Sequence, residues 1–369
     1  MRGYESQKSD YEGKIKELEE EISKTKYNKR TQHHIGLLKA KIAELKQRSE
    51  QKKKGSGITS GYSIKKNGDA TVAMLGFPSV GKSTLLNALT KAESKVGAYD
   101  FTTLDVIPGL LEYGGAKIQV FDVPGIIEGA ASGTGRGKEV LAAIRAAELI
   151  VMVIDFQKPD HFDYLMKEAW DAGLRLNVDP PDIKIKKTGM GGIDLTCTCK
   201  QTHLSNDLIK QMLRQMGWAN CQIVVRQNIT DDDLIDAIAG NRVYIPSLVV
   251  INKADIDPKK AEAIRKKLKG DICISANEKE NLDALQEGIF KKLGLVRIYT
   301  KEQGKEADMG EPLVLHKGAT IRDVCNKLHR TFAKRFKTAK VWGSSKFPGQ
   351  SYGLDKKVAD KDIVEVHLI

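Results

Sequence analysis

The 369-residue chain is 29% charged and 41% hydrophobic, the balance of water-soluble globular domains, and its length suits two or three of them. No apolar run approaches the roughly 20 residues needed to cross a bilayer. The opening Met1–Glu5 turns charged at once, unlike a secretory leader. These features predict a cytoplasmic protein without a membrane partner. Five cysteines, an odd and sparse set, argue against a disulfide framework and for a reducing compartment. The formal net charge of +12 is uneven. Residues 1–54 carry 15 Lys/Arg against 9 Asp/Glu, residues 295–369 carry the same, and residues 55–294 balance. A neutral body with two basic ends predicts polyanion contacts at the ends; solvated surface charge is the plainer alternative.

In chain order, Ile15, Leu18 and Ile22 recur at helical spacing, and so do Leu37 or Leu38, Ile42 and Leu45. With the polar break Tyr27–Thr31 between them, they predict a helical hairpin over 1–54, too short in repeat for a long coiled coil. Lys52–Gly57 reads as a flexible basic linker. Apolar β-rich runs then alternate with helical ones: Thr71–Leu75, Lys117–Phe121, Leu149–Ile154, Ser247–Ile251 and Ile272–Ile274. That alternation predicts an α/β fold, a parallel sheet wrapped by helices, over 55–177 and 241–294. The gap from Asp155 to Ser247 is too long for one crossover. A helix at Asp160–Gly173 serves the crossover, and 178–240 reads as an inserted small α+β domain of ββαβα order. Within it, Ile193, Leu195, Cys197 and Cys199 alternate as one face of a strand, which makes the C-x-C pair small core residues in preference to metal ligands. The last module, 295–369, has strands at Val296–Tyr299, Glu311–Leu315 and Ile363–Ile369. They surround a helix at Thr320–Phe332, with Thr320 as N-cap, and suggest a β-grasp-like fold.

The chemistry lies at the strand ends. Gly76-Phe77-Pro78-Ser79-Val80-Gly81-Lys82-Ser83 fits G-x-x-x-x-G-K-[ST], with a strand before it and a helix, Thr84–Thr90, after it. The glycines let backbone N–H groups wrap a β-phosphate, Lys82 bridges β- and γ-phosphate oxygens, and Ser83 ligates magnesium. The predicted nucleotide contacts here are Gly76, Pro78, Ser79, Val80, Gly81, Lys82, Ser83 and Thr84. Asp122-Val-Pro-Gly125 follows the next strand. Its carboxylate reaches magnesium through water, and the Gly125 N–H senses the γ-phosphate. Asn252-Lys253-Ala254-Asp255 separates guanine from adenine. The Asp255 carboxylate accepts from the guanine N1–H and exocyclic amine, neither of which adenine offers, while Lys253 lays its stem against the base. Ser275, Ala276 and Asn277 back the base with a main-chain N–H. The set predicts a GTP/GDP site with magnesium as cofactor.

These residues resemble translation-factor-class P-loop GTPases of the Obg-like branch. Tyr99–Leu104 looks like that branch's first switch, which makes Thr103, or else Thr102, a magnesium ligand by resemblance. Gly125–Gly137 looks like the second switch. The whole chain is similar to the developmentally regulated GTP-binding (DRG) family. Its insert resembles a domain of a ribosomal small-subunit protein, and 295–369 looks like a TGS domain, a β-grasp module. The resemblance implies a cytoplasmic enzyme hydrolysing GTP to GDP and phosphate, with Lys82, Thr103 and Gly125 in the catalytic roles. It also implies a switch acting on ribosomes in translation, bound in eukaryotic members by a dedicated zinc-finger regulatory protein.

Two residues depart from the common pattern. Ile126 stands where many GTPases carry a water-orienting Gln, which predicts a low basal rate. Ser79 stands where potassium-stimulated relatives often have Asn, so potassium is a less secure second cofactor. Arg136 reads either as an internal arginine finger or, more plainly, as an exposed loop residue. For ribosomal RNA, the candidate contact is a basic helix running from Lys327 through Arg330, Lys334, Arg335 and Lys337, with Phe332 and Phe336; the alternative is a helix whose aromatics fill a core. A rival reading is a GTP-dependent protein-interaction switch without RNA contact. Asp255 disfavours an ATPase of the same branch.

Overall fold

The computed structural model describes residues 2–26, 28, 31–54, 68–90, 107–123 and 144–369. The chain divides into two compact units: Met1–Gly61 with Asp179–Val243, and Tyr62–Val178 with Tyr244–Ile369.

The first unit joins two segments far apart in sequence. Helices α1 (Arg2–Lys24) and α2 (Gln32–Lys54) form the predicted hairpin. The break between them is held by Asn28 and Thr31: the Thr31 N–H donates to Asn28 Oδ1, and the Asn28 N–H to Thr31 Oγ1, both at 3.0 Å. Lys52–Lys54 belong to α2 and not to a linker, because lysine is a good helix former and nothing there interrupts the helix. The rest of the expected linker, 55–57, lies outside the described residues. The insert contains β6 (Ile183–Lys187), β7 (Ile193–Cys197), helix α5 (Asn206–Gln215), β8 (Cys221–Val225) and helix α6 (Asp231–Ala239), in the ββαβα order expected. Strand order is β6-β8-β7, with β6 antiparallel and β7 parallel to β8.

Hairpin and insert share one core, in which Ala40 of α2 packs with Leu208, Ile209 and Met212 of α5. The Lys39 ammonium lies 3.0 Å from Asp231 and 2.9 Å from Asp232, at the positive end of α6. Burial and pairing pull against each other there, and the Lys39 pKa ends above its ordinary value. The sequence pattern gives 1–54 and 178–240 as separate modules; apolar burial joins them in one unit. β7 stops at Cys197, which packs against this core, and burial pushes its thiol pKa up. Cys199 lies past the strand end, yet the alternation of half-buried and exposed residues runs on through it.

The second unit is built on a six-stranded sheet. Its strands are β1 (Ala70–Leu75), β2 (Ile107–Tyr113), β3 (Ala116–Asp122), β4 (Leu149–Asp155), β10 (Ser247–Asn252) and β11 (Ile272–Cys273), in the order β11-β10-β4-β1-β3-β2. All neighbours are parallel except the β2–β3 hairpin. Strands β1, β4 and β10 are buried at every residue, as continuous apolar runs in a helix-covered parallel sheet should be. The helices are α3 (Lys82–Leu89), α4 (His161–Asp171), α7 (Pro258–Leu268) and α8 (Leu282–Lys292). Short strands β5 (Leu174–Leu176) and β9 (Val243–Ile245) pair where the insert leaves and returns. Asn177 fastens that neck. Its N–H donates to Ile245 O at 3.1 Å, its Oδ1 accepts from the Ser247 N–H at 2.8 Å, and its Nδ2 donates to Ser247 Oγ at 2.9 Å.

The C-terminal module belongs to this second unit. Strands β12 (Leu295–Lys301), β13 (Ala307–His316), β14 (Phe336–Trp342), β15 (Gln350–Tyr352) and β16 (Asp362–Leu368) form a sheet ordered β13-β12-β16-β14-β15. Helix α9 (Ile321–Leu328) packs against it through Ile321, Val324 and Cys325. Thr320 and Asp323 form a reciprocal capping box at its start. The helix ends at Leu328, four residues before the expected Phe332. His329 turns to extended backbone, and its Nδ1 accepts from the Thr331 N–H at 3.3 Å. The basic stretch is therefore not one helix. Arg330 and Lys334 lie in turns, and Lys337 lies on β14. Phe332 and Phe336 pack against the module's core, which is the alternative reading of those aromatics.

The module is seated on the larger sheet. Leu295 and Val314 enter that sheet's own core. The Lys327 ammonium lies 2.8 Å from Asp69. The β2–β3 turn, Gly114-Gly115, has positive φ at both residues, and a Cβ added at Gly115 would sit 2.8 Å from Pro312 Cδ. Gly115→Ala is expected to cost about 1–3 kcal/mol from strained φ and the collision. In a thermal melt the midpoint should fall by roughly 2–8 °C; an unchanged midpoint would mean that the turn does not bear on the seat.

Candidate nucleotide site

The parallel sheet brings the carboxyl ends of β1, β3, β4, β10 and β11 to one edge, the place where open α/β sheets take ligands. A cleft of about 340 Å³ lies there, within the range of small-molecule sites. Its wall includes Ser79, Gly81, Lys82, Ser83 and Thr84 on one side of the sequence, and Asn252, Lys253, Asp255, Ser275, Ala276 and Asn277 on the other. Two motif groups separated by about 170 residues thus share one cavity.

The loop after β1 turns sharply into α3. Ser79 has φ 63° and Gly81 φ 93°, both left-handed. Gly76 is forced, since a Cβ there would lie 2.6 Å from Val153 O. Pro78 is exposed on the shoulder of the loop, and Val80 turns inward, 2% exposed. The Lys82 ammonium lies inside the curve and donates to Gly76 O at 2.9 Å and Phe77 O at 3.0 Å. Burial lowers the Lys82 pKa, with the Asp122 carboxylate working against that shift.

The Ser83 hydroxyl donates to Asp122 Oδ2 at 2.8 Å, so the two expected magnesium residues meet. Asp122 is 6% exposed, and its Oδ1 has no hydrogen-bond partner among the described residues. A buried carboxylate oxygen left over beside a hydroxyl, both hard oxygen donors, fits magnesium. Thr102, Thr103, Gly125, Ile126 and Arg136, with both stretches read as switches, lie outside the described residues.

On the base side, Asn252 is 2% exposed and ties the loops together. Its Nδ2 donates to Val80 O at 2.9 Å, and its Oδ1 accepts from the Ala276 N–H at 3.1 Å. The Lys253 ammonium reaches Asp155 Oδ2 at 2.6 Å. Asp155 was not foreseen as part of the site, although a carboxylate at the end of a parallel strand beside two motif strands is a readable signal. Asp255 lines the cleft and is exposed. The penalty against adenine therefore arises only when a base covers the carboxylate. Ile256, an apolar residue 59% exposed, also lines the cleft and was missed.

Residues 71–187 match the family model described as 50S ribosome-binding GTPase, 190–295 match the model for the C-terminal region of that domain, and 296–368 match the TGS domain. Developmentally-regulated GTP-binding protein 1 of Xenopus laevis is 45% identical over 96% of this chain and 98% of its own length. Developmentally-regulated GTP-binding protein 2 of Mus musculus is 43% identical over 96% and 98%. A GTP-binding protein of Methanocaldococcus jannaschii, itself uncharacterized, is 52% identical over 96% of this chain and 92% of its own. The solved YchF GTPase of Schizosaccharomyces pombe aligns with 82% of this chain and 99% of that one at 13% identity and a TM-score of 0.43, too low to carry an argument. Likeness of this degree spans hairpin, sheet, insert and C-terminal module alike, and with the phosphate and base loops facing one cleft it assigns the chain to the developmentally regulated GTP-binding protein family of P-loop GTPases.

Proposed function

We propose that this protein hydrolyses GTP to GDP and phosphate as a magnesium-dependent switch acting on ribosomes. The observation that carries the chemistry is the Ser83–Asp122 hydrogen bond at a cleft lined by Lys82 and Ser83 together with Asp255. In this reading the loop's N–H groups and Lys82 hold the β- and γ-phosphates, Asp255 reads guanine, and Ser83 and Asp122 hold magnesium. Magnesium held there would offset the negative charge on the phosphate oxygens. Thr103 and the Gly125 N–H complete the γ-phosphate end. Ile126 carries no group to orient water, so basal turnover is slow and an outside activator supplies the rest. Potassium bound near Ser79 is a candidate second cofactor. The description of the matching family model supports the ribosome as that activator, and the basic ends support contact with ribosomal RNA. A zinc-finger regulatory protein and a cytoplasmic location complete the proposal.

Two observations favour the rival, a protein-interaction switch without RNA contact. The Lys327 charge is taken up by Asp69, and the Arg335 guanidinium donates to Ile369 O at 3.0 and 3.2 Å. Arg330, Lys334 and Lys337 are the remaining candidate phosphate contacts.

Steady-state GTP hydrolysis, in potassium and in sodium buffer, with and without purified ribosomes, tests the proposal. Slow turnover that rises at least about tenfold with ribosomes is expected; turnover indifferent to ribosomes would remove them as activator. Reversing the charges of Arg330, Lys334 and Lys337 together should abolish ribosome co-sedimentation, and the wild-type interaction should weaken steeply with salt. Retained co-sedimentation would favour the rival.

Asp255→Asn should weaken GTP binding by roughly a hundredfold or more, because the amide offers one donor where guanine needs an acceptor. The same change should admit xanthosine triphosphate, whose C2 carbonyl accepts that donor; a competition titration reads both. Ser83→Ala should leave magnesium-free GDP binding within about threefold while removing the tightening that magnesium gives. Fluorescent GDP titrated with and without chelator measures it.

A further inference from the structure

Lys253 is held in a conformation that its own chemistry does not favour. Its backbone is left-handed, φ 64°, a region lysine seldom adopts. The chain is fixed just beyond it, where the Ala254 N–H donates to Ile274 O at 3.0 Å. At the far end of the side chain, Nζ lies 2.6 Å from Asp155 Oδ2. Both ends of a flexible four-carbon stem are therefore secured, and the residue lines the cleft.

Asp155 is a prepared anchor. It ends β4, and the β4–β10 register sets it beside Asn252, the residue before Lys253. It is 5% exposed, and its second oxygen, Oδ1, accepts from the Gln157 N–H at 2.9 Å. A carboxylate so buried needs its cation, and the cation is only one-third exposed, unlike a solvated surface pair.

We infer that Asp155 is a positioning residue for the purine: it tethers the Lys253 ammonium, so that the lysine stem stands as a fixed apolar rail against the face of the base. Asp155 touches no nucleotide atom in this role. The rail presents methylene groups and reads no exocyclic substituent, so it serves every purine alike, and Asp255 alone reads the 2-amino group. Pinning the stem in advance removes the ordering cost that binding would otherwise carry. The inference rests on the guanine-site reading above.

The full-length protein with magnesium and the fluorescent nucleotides mant-GDP, mant-IDP and mant-ADP tests it. Preference of the unaltered protein for mant-GDP over mant-ADP checks the guanine-site reading on its own. Asp155→Asn and Lys253→Met should each weaken mant-GDP by about tenfold, chiefly through faster release. The double variant should be no weaker than the worse single one, since either change cuts the same tether. Affinities for mant-GDP and mant-IDP, which differ by the 2-amino group, should fall by the same factor. Losses that multiply in the double variant, or a changed GDP/IDP ratio, would overturn the inference. If Asp155→Asn does not fold, Lys253→Met against Lys253→Ala decides. Equal losses support a tethered stem, and a Met variant that binds like the unaltered protein refutes it.

Discussion

One buried amide sets the spacing of the site. Asn252 donates to the phosphate loop at Val80 O and accepts from the Ala276 N–H, so loops following β1, β10 and β11 are tied at a single point. The parallel sheet brings those loops near one another, and the amide converts nearness into a fixed distance. Its burial makes the ties obligatory, because an amide group left unpaired there costs about 1–3 kcal/mol. It also accounts for Gly81, where any Cβ would lie 2.5 Å from Asn252 Nδ2. A residue usually assigned to guanine recognition is thus equally part of the phosphate loop's support.

Much of this was legible in the sequence, for a physical reason. Strands covered on both faces must be apolar throughout, so β1, β4 and β10 stand out as unbroken runs, and the functional loops follow them directly. Elements without that signature were missed. β2 is an antiparallel edge strand carrying Pro108 and Gly109, residues that read as turn formers. β5 and β9 are three residues each and form by pairing with one another across the insert. The end of α9 depends on a turn of the His329 backbone, which helical periodicity does not encode. The union of hairpin and insert depends on which apolar faces meet, and periodicity gives a face without naming its partner.

The site shows the same division. Motif residues were readable because phosphate and guanine impose fixed chemistry at fixed spacing. Asp155 was not, since its task is set by Lys253, a residue almost a hundred positions away, and only the register of β4 with β10 brings them together. For Asp255 the motif gives the chemistry but not the exposure, which depends on the neighbours that the fold places around it. Net charge likewise foretold the sign of the C-terminal module but not its use. Lys327 is paired with Asp69, and Arg297 with Asp360 at 2.6 Å, so part of the positive excess serves the fold itself.

The Asn177 neck has a consequence for how the chain comes to its fold. Pairing β4 with β10 must close a stretch of some ninety residues, a contact that is slow to find when the stretch is a free coil. Asn177 binds both Ile245 and Ser247, so the polypeptide enters and leaves the insert at adjoining points. Once the insert has condensed, the distance to be closed shrinks to that neck, and the central strands meet as though joined by an ordinary crossover.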